Sequence, residues 1–240
     1  MPDHCTAQVV CQGIPVARSP KASGFKVLGA QITFDNRFHV ELAKRISKAW
    51  RAFAAIASWL RERSASLKLR MALLDACVAQ TLFWGACSWN LTRRDCERVR
   101  GVQQKMVRSM LRVRPLAGEG VQHYMARTNR LVSDAIARHS LPFDQQYFQR
   151  MFKFAGHVAR MISYDPRRLT LCIMNYKDWK YISKLQQIHG SQLHYRRLRT
   201  WRWERPLIKY MGPDWKDHAQ HIPTWMSALS SYLAWRSVNR

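Results

Sequence analysis

The chain has 240 residues, 47% of them hydrophobic and 11% aromatic, which excludes a disordered tail and allows one large domain or two small ones. Lys and Arg number 40 against 15 Asp and Glu, a formal net charge of +25. The excess is spread along the chain: 17 cations face five acids over 37–114, and 20 face eight over 115–240.

Basic charge along a folded chain favours a polyanionic partner, by counterion release and long-range steering. Nucleic acid is the expected partner, with an anionic membrane surface as the rival. The least charged stretch, Ala76 to Leu91, contains Gln80, Thr81, Ser88 and Asn90. It is too short and too polar for a membrane span, which needs roughly 20 apolar residues. Six Cys form no CxxC pair, and Met1 to Val10 has neither a basic n-region nor an apolar run. An intracellular, reduced protein, nuclear or cytoplasmic and not secreted, is expected.

Residues 7–16 (AQVVCQGIPV) predict two short strands around Gln12-Gly13. In FKVLGAQITF, Gly29 interrupts strand-like sequence and implies a bend or a close backbone approach. A first helix is expected after Asp35 or Asn36, either of which can cap it. Phe38, Leu42, Ile46, Ala49, Phe53, Ile56 and Leu60 form one continuous apolar stripe. Lys44, Lys48 and Arg51 lie opposite, either solvated or facing phosphate.

A second helix is predicted from near Ser66 to about Trp89. Leu67, Met71, Leu74, Val78 and Leu82 make one face, and Leu69, Leu73 and Cys77 extend it around. A helix apolar nearly all round reads as buried and central, with Asp75 hydrogen-bonded to a neighbouring element. The third helix starts at an N-cap Thr92 with Asp95 at N3, as in a capping box, and Leu91 with Cys96 can form a hydrophobic staple. Its buried side is Val99, Val102, Met106 and Met110, while Arg98, Lys105, Arg108 and Arg112 share another face. Pro115 and Gly118-Glu119-Gly120 then break the chain. Two more helices are expected over 121–140 and 143–163, and less regular structure over 164–240. The expected fold is mainly α: strands within 1–35, a multi-helix bundle over 36–115 and a C-terminal helical region over 121–240.

FKVLGAQIT resembles the "YLG" segment that closes the palm of non-long-terminal-repeat, LINE-type reverse transcriptases. That turn belongs to the family's primer grip, which here implies Val27, Leu28 and Gly29. Arg45-Ile46-Ser47-Lys48-Ala49-Trp50-Arg51-Ala52-Phe53 is similar to the family's following helix, "R-I-x-x-A-x-x-A-F". Ser66-Leu67, Val78, Leu82, Trp84-Gly85 and Trp89 come next in family order, then Leu91-Thr92, Asp95, Val99 and Gln103. Gly156-His157-Val158-Ala159-Arg160-Met161 looks like "GHVxRM", and Arg205-Pro206 with Trp215 like "GRPxxxW". The likeness is colinear over about residues 5 to 235. It departs from the family at Cys5, beside Thr6, where a lysine is usual. It departs also at Val27, where an aromatic is usual, and at Glu204, where a glycine is usual.

The resemblance implies a palm-end strand remnant, a thumb-like helical bundle and a C-terminal helical region. Thumbs of this family grip the template–primer duplex through its phosphates. That implies roles for Lys44, Lys48, Arg51, Arg98, Lys105, Arg108 and Arg112. In the run RRLRTWRWERP, Arg199, Arg202 and Arg205 read as phosphate contacts rather than solvated charges, while Trp201 and Trp203 read as core rather than base-stacking residues.

Polymerase chemistry needs carboxylates holding two divalent metals over the reacting oxygens. The family takes them from a palm Asp and an Asp-Asp pair upstream of the turn, and this chain has no Asp-Asp. No catalytic residue and no cofactor are expected, with Mg2+ relevant only if a palm completes the enzyme. Asp214 and Asp217 read as helix-capping residues, and His218-x-x-His221 lacks the paired ligands of a zinc site. The expected function is nucleic-acid binding to an RNA–DNA hybrid, RNA or DNA, without catalysis. The alternatives are a fragment of a working RNA-directed DNA polymerase whose palm lies upstream or on another chain, and an inert relic.

Overall fold

The computed structural model describes residues 9–11, 14–16, 25–27, 30–32, 38–89, 91–164 and 205–239. The protein is mainly α. Two short antiparallel pairs precede the helices: β1 (Val9–Cys11) with β2 (Ile14–Val16), and β3 (Phe25–Val27) with β4 (Ala30–Ile32). In the second pair, Phe25 faces Ile32 and Val27 faces Ala30. Leu28 and Gly29 of the turn, and the capping positions Asp35 and Asn36, lie outside the described residues.

α1 (Phe38–Ala55) buries Leu42, Ile46, Ala49 and Phe53, at spacings of four and three. The predicted single helix through Leu60 is corrected to two. At Ile56 the amide turns back to Phe53 O (3.3 Å), and α2 (Ala57–Arg61) begins anew. Leu60 is still fully buried, so the apolar stripe survives the break.

Ser66 caps α3 (Leu67–Leu73) by accepting from the Leu69 amide. α3 leads into a π-helical turn (Leu74–Ala79) and a last α-turn, α4 (Gln80–Leu82). The helix therefore ends well before Trp89. Gly85 takes a left-handed conformation (φ 74°), which a Cβ would strain, and a short 3-10 turn (Ala86–Ser88) follows. The predicted all-round burial is also corrected. Met71, Leu74, Val78, Ala79 and Leu82 are buried, but Leu69 is 62% exposed, because neighbouring helices cover one side only.

α5 (Arg93–Leu111) starts at a reciprocal capping box. The Thr92 hydroxyl accepts from the Asp95 amide (3.3 Å), and the Asp95 carboxylate accepts from the Thr92 amide (3.0 Å). It stops at Arg112, the one non-glycine described residue with positive φ (48°), whose amide donates to Arg108 O. A clasp closes the loop that follows. Arg127 donates to both Glu119 oxygens (2.8 and 2.6 Å) and to Arg114 O, and Tyr124 OH donates to Val113 O. That fork holds the Glu119 carboxyl down at about 2.

α6 (Val121–His139) and α7 (Phe143–Tyr164) follow, and then α8 (Arg205–Met211), α9 (Trp215–His218), α10 (Ile222–Ser227) and α11 (Leu229–Val238). Asp214 stands before α9 but its side chain makes no capping bond, which corrects the expected role. One hydrophobic core runs through the described helices from Leu42 to Leu233 and continues across the 115–120 turn. No described helix is long and apolar enough to cross a membrane.

Two polar joints lock α5 to α7. Gln103 is fully buried; its amide nitrogen donates to Leu141 O (3.0 Å) and its oxygen accepts from Phe143 N (2.8 Å). It thereby satisfies one of the orphan amides at the start of α7. Beside it, Arg100 forks onto Asp144, which is fully buried in the first turn of α7 (3.2 and 2.9 Å).

The C-terminal helices are held to α7 by close approach at a glycine. A Cβ on Gly156 would lie 2.3 Å from Trp225 Nε1. The Trp225 ring stacks on Phe152 at 4.0 Å, and its Nε1 donates to Phe152 O. Arg160 adds a bond to Ala219 O (2.7 Å). Gly156→Ala is expected to lower stability by ~1–3 kcal/mol through overpacking, despite alanine's better helix propensity. Gln103→Ala is expected to cost ~2–4 kcal/mol, because two buried backbone groups lose their partner. Thermal and urea melts of both variants check these values.

Candidate nucleic-acid interface

The outer face of α5 follows from the inner one. Asp95, Cys96, Val99, Val102, Gln103, Met106, Val107 and Met110 are buried, so the opposite side is turned outwards. That side carries Arg94, Arg98, Gly101, Lys105, Arg108 and Arg112, at steps of four and three residues. Arg94, Arg98, Lys105 and Arg112 are exposed, and their side chains have no hydrogen bond or ion pair among the described residues. At 1.5 Å per residue the line is about 27 Å long. Two acids adjoin it in sequence: Asp95 is buried in the capping box, and Glu97 is paired with Arg93 (3.2 Å).

Arg108 is set apart from its neighbours. It is half-buried against α6, with its Nη2 donating to Asn129 Oδ1 (2.6 Å) and its Nε without a partner. The structure thus brings Arg98, Lys105 and Arg112 together and ties Arg108 partly into the fold. Lys44 and Arg51 are exposed and Lys48 is half-buried on α1, a separate helix. Arg205 is exposed at the start of α8, whereas Arg199, Arg202, Trp201 and Trp203 lie outside the described residues.

Sequence reasoning missed Arg94, although the same four-and-three spacing runs back to it from Arg98. It missed also a group of arginines that serves the fold at the other end of α5. Arg61 Nη2 donates to Ser109 Oγ (2.8 Å), Arg70 Nη1 to Leu60 O and Met110 O (3.4 Å each), and Arg63 Nη2 to Arg112 O (3.5 Å). Cations there complement the negative end of the helix dipole and the free carbonyls of its last turn. No local pattern marks such contacts, because Arg63 and Arg112 are 49 residues apart.

A second polar cluster sits at the π-turn. Asp75 accepts from Ser140 Oγ (2.7 Å) and Gln146 Nε2 (2.8 Å), joining this turn to the α6–α7 connection. Burial raises its pKa above the ordinary aspartate value of 3.8, with the two hydrogen bonds and Arg150 opposing. Arg150 lies over the Phe83 ring (5.2 Å) and donates to Gln80 Oε1 (3.0 Å). Every partner is part of the packing, so the cluster is structural. Among the described residues, no three His, Cys, Asp or Glu side chains lie close enough to hold a metal ion.

No protein-family model, curated protein or solved structure matches this chain.

A raised folded-state pKa at Asp75 means the protonated form favours folding. Its contribution is fully present below pH 3.8 and lost as pH rises through the higher folded value. Asp75→Asn, which keeps an acceptor for Gln146 and cannot ionise, is expected to abolish this part of the pH dependence. Urea unfolding between about pH 4 and 7 reads it: the wild-type minus variant difference in stability should fall as pH rises.

Proposed function

We propose that the chain is a helical nucleic-acid-binding protein of reverse-transcriptase-like origin that grips a template–primer duplex by its phosphates and does no polymerase chemistry itself. The observation that carries this is the exposed line Arg94–Arg98–Lys105–Arg112 along the outside of α5, in a chain of net charge +25. A rigid line of cations that have no ion pair among the described residues suits a sequence-independent phosphate grip. Lys44, Lys48 and Arg51 on α1 and Arg205 on α8 extend the basic surface in this reading.

The colinear likeness to LINE-type reverse transcriptases supports the particular partner, an RNA–DNA hybrid. In that reading β1–β4 are the end of a palm, with Val27, Leu28 and Gly29 as its primer-grip turn, and α1–α5 are a thumb. This reading gives Mg2+ to a palm and not to this chain. It rests on the sequence, which has no Asp-Asp pair of the kind a two-metal polymerase site uses. A palm-bearing chain would have to supply that chemistry.

Binding of the full chain to a hybrid duplex, measured against salt, tests the proposal. A steep negative slope of log K against log salt is expected. Replacing Arg98, Lys105 and Arg112 by Ala should reduce its magnitude by about 0.7–0.9 per residue. No measurable binding at ~50 mM salt would contradict it.

A further inference from the structure

Gly101 sits in the middle of α5, at the centre of the outward line, where the spacing would otherwise place a sixth side chain. Glycine inside a helix is unfavourable, because the unfolded chain loses more freedom on folding there. Glycines in helices usually repay that loss by letting another part of the protein come close, as Gly156 does for Trp225. Gly101 does not. A Cβ built on it meets no described atom within 4 Å, and its φ is not in the left-handed region. Neither packing nor backbone conformation in the described residues calls for a glycine.

What surrounds it is charge. Arg98 precedes it by three residues and Lys105 follows by four, both exposed, with Arg94 and Arg112 beyond them. Cα–Cβ bonds tilt towards the helix N-terminus, so Lys105 leans back over the bare turn at Gly101. The result is a notch in the helix surface flanked by cations on both sides. A long side chain at this place would hold an anionic strand away from the helix, whereas a glycine lets it settle between Arg98 and Lys105.

We propose that Gly101 is the point of closest approach between α5 and the sugar–phosphate backbone of the bound duplex, and that its lack of a side chain sets binding affinity. This rests on the nucleic-acid reading above and adds a position that carries no charge to it. Charge complementarity selects the occupant, since no acidic side chain stands on the line itself from Arg94 to Arg112.

The prediction joins two effects of opposite sign. Gly101→Ala should fold more stably, raising Tm by about 2–4 °C for a chain of this size. The same variant should bind a 20-bp RNA–DNA hybrid about three- to tenfold more weakly, on the scale where tenfold is 1.4 kcal/mol. Gly101→Leu should bind more weakly still. Because no cation is removed, the salt slope of both variants should equal that of the wild type, unlike the slope of Lys105→Ala.

Wild-type affinity in both stable glycine variants would overturn the inference and leave the nucleic-acid reading standing. Failure of the wild-type chain itself to bind would remove both. Weaker binding with a matching drop in Tm would overturn it as well, because the glycine would then be serving the fold.

Discussion

The buried amide of Gln103 is the constraint on which the rest depends. A side-chain amide with no exposure must place its donor and acceptor on fixed partners, and these are Leu141 O and Phe143 N at the start of α7. Arg100 and Asp144 repeat the joint beside it with a charged fork. Once α5 is held against α7 in this register, its rotation about its own axis is set. The face bearing Arg94, Arg98, Lys105 and Arg112 is then turned away from the described helices. The basic surface is thus a consequence of the core, and a change of register at Gln103 would disperse it.

The same helix divides its cations by position. Near its C-terminal end, Arg63 and Arg70 reach in from other parts of the chain to carbonyls, Arg61 to the Ser109 hydroxyl, and Arg108 leans on Asn129. These serve the fold. Along the rest of the outer face, Arg94, Arg98 and Lys105 have no side-chain partner among the described residues. Composition alone cannot make this distinction, since every one of these residues adds equally to the net charge of +25.

What could be read beforehand follows the range of the interaction. The Thr92–Asp95 box and the α5 core face are local, at spacings of three and four, and both were legible. So were the positions of α6 and α7 and the need for a partner at Asp75. The π-turn at Leu74–Ala79 was not, because a shift from i+4 to i+5 bonding leaves no residue signature. Gly156 was recognisable as part of a motif, but its reason lies 69 residues away in Trp225. Arg94 stands in the first turn of α5 beside the capping-box Asp95, where local sequence marks the helix start rather than its outer face. Charge by itself points to a polyanion and to nothing finer.

Lysine reactivity tests most directly whether a hybrid duplex sits on the outer line of α5. Lys105, on the outer line of α5, and Lys153, on the outer side of α7, are both exposed. Amine acetylation of the full chain, read by mass spectrometry with and without an RNA–DNA hybrid, compares them in one sample. The account predicts strong protection of Lys105 by the hybrid while Lys153 reacts as before. Equal reactivity of Lys105 in the two samples, under conditions where the hybrid is bound, would contradict it.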